Sequence, residues 1–286
     1  MCICVYVYLY FYIFYFIIKM IYIIKVRVPM RLSLLSLSLL LSLFITSNAY
    51  TNINLYGTGM FLPYSMGIVG YIKKYFPLND INITGISGGA ICSILYTQED
   101  DLSNPDKIWD YTIGQDVSEL YLYKDLHLFQ KNIGNNLKLR YNNTSPRDLD
   151  KISVISTDVS KMKNVKVSNF DNINDLIDFS LCSSYIPYIS GDTMGKKYKG
   201  CEYMDGEIFR DYKYNKKQTC PTTISIHRKM WGRKFPLNNY IYTNKQISSD
   251  LFNYGWEDTR RNQNELFKCI TTKKKRIYLG KILSQK

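Results

Sequence analysis

The pattern of hydrophobic and polar positions changes near residue 50. Before this point, residues 3–24 are almost wholly apolar and a leucine-rich run follows at 32–45. After it, short apolar runs alternate with longer segments whose apolar residues recur every three or four positions. Such runs are typical of buried strands, and such segments are typical of amphipathic helices. Their alternation predicts an α/β fold with a mainly parallel sheet.

The predicted elements follow one another from residue 52 onwards. The predicted strands lie at 53–56, 81–84, 151–159, 164–170, 198–204 and 222–227. The predicted helices lie at about 65–76, from 90 onwards, over most of 105–141, and at 174–184 and 248–270. The chain contains no internal repeat, so we expect one α/β domain and not a repeat array.

The apolar N-terminus predicts a hydrophobic leader over residues 1–49. Read from Met30, it has a basic start, a leucine-rich core and the small residues Ser47 and Ala49 at a cleavage position, which is the pattern of a signal peptide. A retained membrane anchor is the alternative, and so is a hairpin of two membrane helices, since residues 3–24 are long enough to cross a bilayer. The residues before Met30 are either an upstream extension or a first anchor. The signal peptide, the retained anchor and the helical hairpin all place the protein at a membrane or in the secretory pathway.

We divide the rest of the chain into an α/β domain at 50–230 and a C-terminal basic extension with a helix at 231–286. Lys and Arg number 37 against 24 Asp and Glu, a formal net charge of +13. No zinc-finger spacing, RNP motif or basic helix with heptads accompanies this charge. Together with the hydrophobic N-terminus, the charge therefore favours an anionic membrane surface over nucleic acid as the partner.

The seven cysteines do not predict a metal site. There is no C-x-x-C spacing, and only two histidines are available to complete a site. Cys92 and Cys182 stand in apolar runs, which predicts small buried hydrophobic residues. The cysteines leave the redox compartment undecided.

The stretch Gly85-Ile86-Ser87-Gly88-Gly89 is a G-x-S-x-G motif between a predicted strand and a predicted helix. A serine on such a turn is exposed and its backbone is strained, and only glycine-like neighbours leave room for the crowded approach. The helix N-terminus behind it favours negative charge. The motif therefore predicts Ser87 as a nucleophile.

Two further segments could complete a serine hydrolase site, which needs a base and donors for an oxyanion. Asp205-Gly206 follows a predicted strand, and Asp205 is a candidate base. The loop Gly57-Thr58-Gly59-Met60 could offer successive backbone N–H groups to an oxyanion. A dinucleotide-binding loop would need a glycine where Leu62 stands, and a P-loop would need Gly-Lys-Ser/Thr, so both nucleotide interpretations are excluded.

These three motifs, in this order, resemble the patatin-like phospholipase family, and most closely its animal triglyceride-lipase branch. The likeness extends to LYGTGMFLPYSMGIVGYI around the glycine loop and to LCSSYIPYISG ahead of the aspartate. It covers roughly residues 52–227. The resemblance implies a three-layer α/β/α sandwich with a mainly parallel central sheet.

The resemblance also implies the chemistry of a lipid acyl hydrolase, of the phospholipase A or acylglycerol lipase type. Asp205 takes the proton of Ser87, whose oxygen attacks an acyl ester. Backbone N–H groups of Gly57 to Met60 hold the oxyanion, and no cofactor or metal takes part. The implied partner is a lipid substrate at a membrane or lipid-droplet surface.

Two departures from the family and one rival arrangement leave alternatives open. Leu62 and Glu207 stand where the family usually has small residues, and Glu207 is expected to raise the pKa of Asp205 by like-charge repulsion. A weak or inactive lipid-binding protein is therefore an alternative. The order Ser87, Asp205, His227 also fits an α/β-hydrolase triad, although the cations beside His227 disfavour its protonated form.

Overall fold

The computed structural model describes residues 51–75, 81–98, 101–114, 117–142, 149–209 and 223–266. The expected leader, the basic run at 273–276 and four of the cysteines lie outside these residues. All described residues belong to one compact unit, which begins at Tyr50. Within this unit no described helix combines the length and apolar character needed to cross a membrane.

A seven-stranded mixed sheet forms the centre of the fold, and a two-stranded antiparallel sheet lies apart from it. The strands are β1 (Thr51–Leu55), β2 (Ile81–Ile86), β3 (Glu119–Tyr121), β4 (Ile152–Asp158), β5 (Lys163–Ser168), β6 (Lys196–Tyr198), β7 (Cys201–Met204), β8 (Thr223–Ile226) and β9 (Tyr242–Asn244). The large sheet has the order β6-β7-β4-β2-β1-β8, and β5 pairs with β4. Strands β4, β2, β1 and β8 are parallel, whereas β5 and β7 run antiparallel to β4.

The helices pack on this sheet and on one another. They are α1 (Leu62–Tyr75), α2 (Gly88–Thr97), α3 (Pro105–Thr112), α4 (Leu122–Tyr141), α5 (Ile173–Ser183) and α6 (Lys245–Leu266). Helices α2 and α5 pack directly on the sheet, and α1 packs on α2 and along α6. The α/β fold with mostly parallel strands is confirmed, and the arrangement is compatible with a three-layer sandwich. The helix of the C-terminal extension is part of the same compact unit.

The parallel strands are buried because helices cover them. Ile81, Ile83 and Ile86 of β2 and Ile152 and Val154 of β4 are all almost fully buried, as expected for the central strands of a parallel sheet. The carboxyl ends of neighbouring parallel strands meet at one edge, which is where α/β folds usually place their sites. The glycine loop follows β1 at this edge, and the G-x-S-x-G serine follows β2.

Some element boundaries differ from the predicted ones. Helix α1 begins at Leu62, three residues before the predicted start, directly after a short 3₁₀ turn at Gly59–Phe61. Strand β3 interrupts the segment predicted to be mostly helical, because it pairs with β9 more than a hundred residues away. That pairing is not visible in the local pattern of apolar residues.

Candidate active site

The G-x-S-x-G segment forms the predicted strand–serine–helix turn. Strand β2 ends one residue before Ser87 and α2 begins one residue after it, with Ser87 at φ 53° and ψ −128°. This positive φ is a strained conformation for a residue with a side chain. A Cβ on Gly85 would lie 2.5 Å from the Cα of Ala90, and one on Gly89 would lie 2.0 Å from the carbonyl oxygen of Leu55. Both flanking glycines are therefore required by backbone packing.

Ser183, at the end of α5, holds the turn in place. The Ser87 N–H donates a hydrogen bond of 2.8 Å to the Ser183 Oγ, and the Ser183 hydroxyl donates one of 2.6 Å to the carbonyl oxygen of Ile155. Ser183 thus links the serine turn to β4. Sequence reasoning missed this role, although Ser183 stands in the small-residue segment singled out before the aspartate.

Ser87 and Asp205 are brought together although 118 positions separate them. The Ser87 hydroxyl donates to the Oδ2 of Asp205 at 2.6 Å, and both side chains are buried. The Asp205 N–H donates to the Tyr185 carbonyl at 2.7 Å, and the other carboxylate oxygen accepts the Glu207 N–H at 2.8 Å. The carboxylate is therefore held by the backbone on one side and faces the serine on the other. This is the geometry of a nucleophile with an adjacent base.

Burial raises the pKa of the Asp205 carboxyl to about 6, although the hydrogen bonds from Ser87 and from the Glu207 N–H oppose this shift. The Glu207 charge raises the pKa further, as predicted, but it is the smallest of the causes. A carboxylate with this pKa is ionised at neutral pH and is a stronger base than an ordinary aspartate.

Gly206 allows β7 to approach β4 beside the base. A Cβ on Gly206 would lie 2.5 Å from the carbonyl oxygen of Ile155. Its N–H donates to the Ser183 carbonyl at 3.2 Å, and its carbonyl accepts from the Nδ2 of Asn164 at 2.7 Å. Gly206 therefore fixes the position of the aspartate relative to the serine turn.

The glycine loop lies directly against the serine turn. A Cβ on Gly57 would be 3.1 Å from the Cβ of Ser87, and a Cβ on Gly88 would be 2.5 Å from the Oγ1 of Thr58. The Thr58 hydroxyl is buried and has no hydrogen-bond partner among the described residues. The site therefore contains at least one buried polar group that a bound molecule could satisfy.

The loop also presents backbone N–H groups. Gly59 has φ +54°, and the 3₁₀ turn closes with a hydrogen bond of 3.0 Å from the Phe61 N–H to the Thr58 carbonyl. Within the described part of the chain, the N–H groups of Thr58, Gly59 and Met60 donate no hydrogen bond. Unpaired amides in such a turn are suited to an anionic oxygen.

Leu62 does not disturb this loop. Its backbone is helical, at φ −49° and ψ −46°, so the position does not need the conformational freedom of glycine. Its side chain is buried, and its Cδ1 would lie 3.5 Å from a Cβ on Gly88. The Leu62 side chain therefore packs against the serine turn.

Glu207 occupies the first amide of the loop, which the sequence did not predict. The Gly57 N–H donates to the Oε1 of Glu207 at 2.9 Å. A Cβ on Gly57 would be only 2.7 Å from the Glu207 Cγ, so the absence of a side chain at Gly57 makes room for the glutamate. The two residues are 150 positions apart.

His227 lies one residue beyond β8, with its ring edge-on to that of Tyr56 at a centroid distance of 6.3 Å. Burial and, to a lesser degree, the charge of Lys229 lower the pKa of its imidazole. The Ser87 hydroxyl donates directly to Asp205. The structure therefore brings the serine and the aspartate together, and the histidine is not the acceptor of the serine proton in this arrangement.

Two of the three described cysteines are the ones predicted to be buried, and the third, Cys201, is exposed. Cys92 and Cys182 are free and fully buried. Burial raises the pKa of both thiols, which makes them unreactive. Among the described residues, no group of His, Cys, Asp and Glu is placed to hold a metal ion.

Comparison with known proteins gives no independent assignment. The site is therefore interpreted from the geometry of Ser87, Asp205 and the glycine loop. No protein-family model matches the chain, and no curated protein is significantly similar to it.

Proposed function

We propose that the chain is a patatin-like lipid acyl hydrolase, a serine esterase that uses a Ser87–Asp205 dyad and the Gly57–Met60 loop as its oxyanion hole. The observation that carries the proposal is the 2.6 Å hydrogen bond from the Ser87 hydroxyl to the Asp205 carboxylate, made by a serine on a strained strand-to-helix turn. Backbone strain of this kind is usual at functional sites, where the stability it costs is offset by the surrounding structure.

The proposed reaction has two steps and needs no cofactor. In the first, the Ser87 Oγ bonds to the carbonyl carbon of an acyl ester while its proton moves to Asp205, and the N–H groups of the loop hold the oxyanion. The ester bond then breaks, and the departing alcohol takes the proton from Asp205. In the second step, Asp205 takes a proton from water, the hydroxide attacks the acyl-serine, and Ser87 recovers the proton as the fatty acid leaves.

Exposed apolar side chains in the two segments joined at Asp205 support an acyl substrate. Ile208 and Phe209 follow the Asp205-Gly206 turn, and Tyr188 and Ile189 lie three and four residues after Tyr185, whose carbonyl accepts the Asp205 N–H; all four are exposed. Apolar groups in this position suit the chains of a lipid. A surface of this kind, together with the net charge of +13, supports a substrate presented at a membrane or lipid-droplet surface.

The test is covalent labelling of the full chain. We expect it to hydrolyse a short-chain p-nitrophenyl ester and to lose this activity on treatment with a fluorophosphonate, with the adduct mapped by mass spectrometry to Ser87. Ser93 is the matched control, because it lies on the same helix but donates its hydroxyl to the Ala90 carbonyl. Absence of hydrolysis, or an adduct at another serine, would contradict the proposal.

Replacement of His227 by alanine separates the dyad from the triad. Because Ser87 donates directly to Asp205, we expect kcat/KM for the ester to change by no more than about threefold. His127 on α4 is the control position, and its alanine variant should behave in the same way. A loss of about 10³-fold or more in His227→Ala alone would show that the imidazole is the base.

A non-catalytic lipid-binding protein is the second candidate, because Glu207 occupies the Gly57 amide. Binding of fatty acid or phospholipid without Ser87-dependent hydrolysis would favour this candidate. A panel of phospholipid, galactolipid and neutral glyceride substrates, each assayed with wild type and Ser87→Ala, would identify the lipid class if hydrolysis occurs.

A further inference from the structure

We propose that Glu207 is a displaceable occupant of the oxyanion hole, so that ester cleavage requires its carboxylate to leave the amide of Gly57. This inference rests on the proposed function of Ser87 and Asp205. It adds a residue that competes with the substrate at the same site and sets the rate at which the site becomes available.

The contact places an anionic oxygen beside the nucleophile. The Glu207 Oε1 accepts the Gly57 N–H at 2.9 Å, and Gly57 lies against the Ser87 Cβ. A carboxylate oxygen carries the same kind of charge as the oxygen of a tetrahedral intermediate, and both are recognised by backbone N–H donors. Glu207 is therefore bound as the reaction's oxyanion would be bound.

Before the reaction begins, the Glu207 carboxylate is a stronger acceptor for the Gly57 N–H than the ester carbonyl is. An ester carbonyl is neutral when it arrives, and it acquires full negative charge only in the transition state. A hydrogen bond to a charged group is stronger than one to a neutral group by a factor of about 10 in binding. The resting carboxylate therefore outcompetes the ester for the Gly57 amide.

The backbone around Glu207 allows the side chain to move without disturbing the dyad. The Glu207 N–H donates to Asp205 Oδ1 at 2.8 Å, and the Ile208 N–H closes the same turn on the Asp205 carbonyl at 3.3 Å. Both hydrogen bonds are donated by main-chain N–H groups, those of residues 207 and 208, and neither depends on the rotamer of the Glu207 side chain. The contacts of Ser87 and Asp205 therefore do not involve the Glu207 side chain, and the dyad can stay in place when the carboxylate leaves the Gly57 amide.

The test compares Glu207→Ala and Glu207→Gln with wild type in p-nitrophenyl ester hydrolysis. Removal of the carboxylate in Glu207→Ala should raise kcat/KM by about 10- to 100-fold. Glutamine retains a neutral acceptor oxygen and should give a smaller rise. The rates are compared at pH 8, well above the Asp205 pKa of about 6, so that a change in the ionisation of the base does not produce the difference.

Glu202→Ala on β7 is the matched control, because it removes one carboxylate three residues before Asp205 without touching the glycine loop. Its kcat/KM should equal that of wild type within about twofold. An equal rise in Glu202→Ala and Glu207→Ala would overturn the inference, since it would point to net charge and not to occupancy of the amide.

The contact has a second readout that does not depend on turnover. Labelling with ¹³C-tyrosine and ¹⁵N-glycine selects the Tyr-Gly amides, which in this chain are those of Gly57 and Gly255. Loss of a hydrogen bond to a carboxylate should move the Gly57 amide proton upfield in Glu207→Ala, with Gly255 unmoved as the internal reference. A Gly57 resonance that does not move would overturn the inference.

The outcomes separate this inference from the proposed function. If wild type hydrolyses the ester in a Ser87-dependent way and Glu207→Ala is no faster, the inference alone fails. If neither protein hydrolyses the ester, the proposed function and the inference both fail. If Glu207→Ala is faster and the Gly57 resonance moves, Glu207 is the occupant of the hole.

Discussion

Replacing Ser87 with alanine, or Asp205 with asparagine, is expected to lower kcat/KM for ester hydrolysis by about 10⁴-fold. The reason is the direct hydrogen bond of 2.6 Å between the two side chains, which makes the aspartate the acceptor of the serine proton. Because the two residues act as a unit, the double variant should be no slower than either single variant. The measurement is initial-rate hydrolysis of the p-nitrophenyl ester by the three variants.

The same dyad predicts how the rate depends on pH. Only the ionised Asp205 can accept the serine proton, so kcat/KM should rise with pH through the carboxyl pKa of about 6 and level off above it. Below this value the rate should fall about tenfold for each pH unit. A rate that does not change between pH 5 and 8 would contradict assignment of Asp205 as the base.

Stability measurements show whether the loss of activity comes from misfolding. Burial raises the folded-state pKa of Asp205 above its unfolded value, so its contribution to stability is complete below the unfolded pKa and is lost as the pH rises through about 6. At pH 8 the ionised, buried carboxylate therefore costs stability, and Asp205→Asn should have a Tm no lower than that of wild type. A large fall in Tm would mean that the activity loss reports unfolding.

Asp158 at the end of β4 is the control, because its pKa is shifted in the opposite direction to that of Asp205. Hydrogen bonds from Ser160 and Lys161 lower its pKa to about 2. Its contribution to stability is therefore present above the unfolded pKa and is lost as the pH falls through about 2. We expect Asp158→Asn to lower the Tm at pH 8 while ester hydrolysis continues, the reverse of the result for Asp205→Asn.

The serine turn could be predicted from sequence because its determinants are local. Gly85, Ser87 and Gly89 lie within five residues, between an apolar run and a helical segment. The packing that requires Gly85 lies within the turn, whereas Gly89 packs against Leu55 of β1. The pairing with Asp205 was predicted from the order of three motifs and not from any local signal. The order of the motifs predicts that Ser87 and Asp205 are partners, but only the folded sheet shows that the two side chains are in contact.

The features missed by sequence reasoning are contacts between distant segments. Ser183 donates to β4 and accepts from the serine turn 96 positions earlier. Glu207 was recognised as a carboxylate near the base, but its bond to the Gly57 amide spans 150 positions. Neither contact leaves a periodic or compositional trace in the chain, since each depends on how the carboxyl ends of separate strands meet.

The largest loss of stability is expected from a substitution at the interface between α1 and α6. A Cβ on Gly67 would lie 2.0 Å from the carbonyl oxygen of Phe252, and a Cβ on Gly255 would lie 2.0 Å from that of Tyr64. Each helix therefore needs a glycine where the backbone of the other crosses it. Beside this crossing the Tyr64 hydroxyl donates to the Asp258 Oδ2 at 2.9 Å, which fixes how the two helices are aligned.

Gly255→Ala is therefore expected to lower the free energy of unfolding by about 3 kcal/mol, because the two helix backbones must separate to accept the added methyl group. For a chain of this size the Tm should fall by about 10 °C. Gly200 in the turn between β6 and β7 is the control: it has φ +82° but open space around it, so Gly200→Ala should cost only about 1 kcal/mol. The free energies of unfolding of the two variants are to be measured by chemical denaturation followed by circular dichroism.

The effect of Gly255→Ala should also reach the active site. Helix α1 begins at Leu62, directly after the turn that presents the Thr58, Gly59 and Met60 amides. Displacement of α1 by α6 therefore moves the proposed oxyanion hole relative to Ser87, and a misplacement of about 1 Å can cost 10²-fold in rate. We expect kcat/KM to fall in Gly255→Ala at a temperature where the protein is still folded, whereas Gly200→Ala keeps its rate. A folded Gly255→Ala with wild-type stability and rate would show that the helices can separate without cost and that α1 does not position the loop.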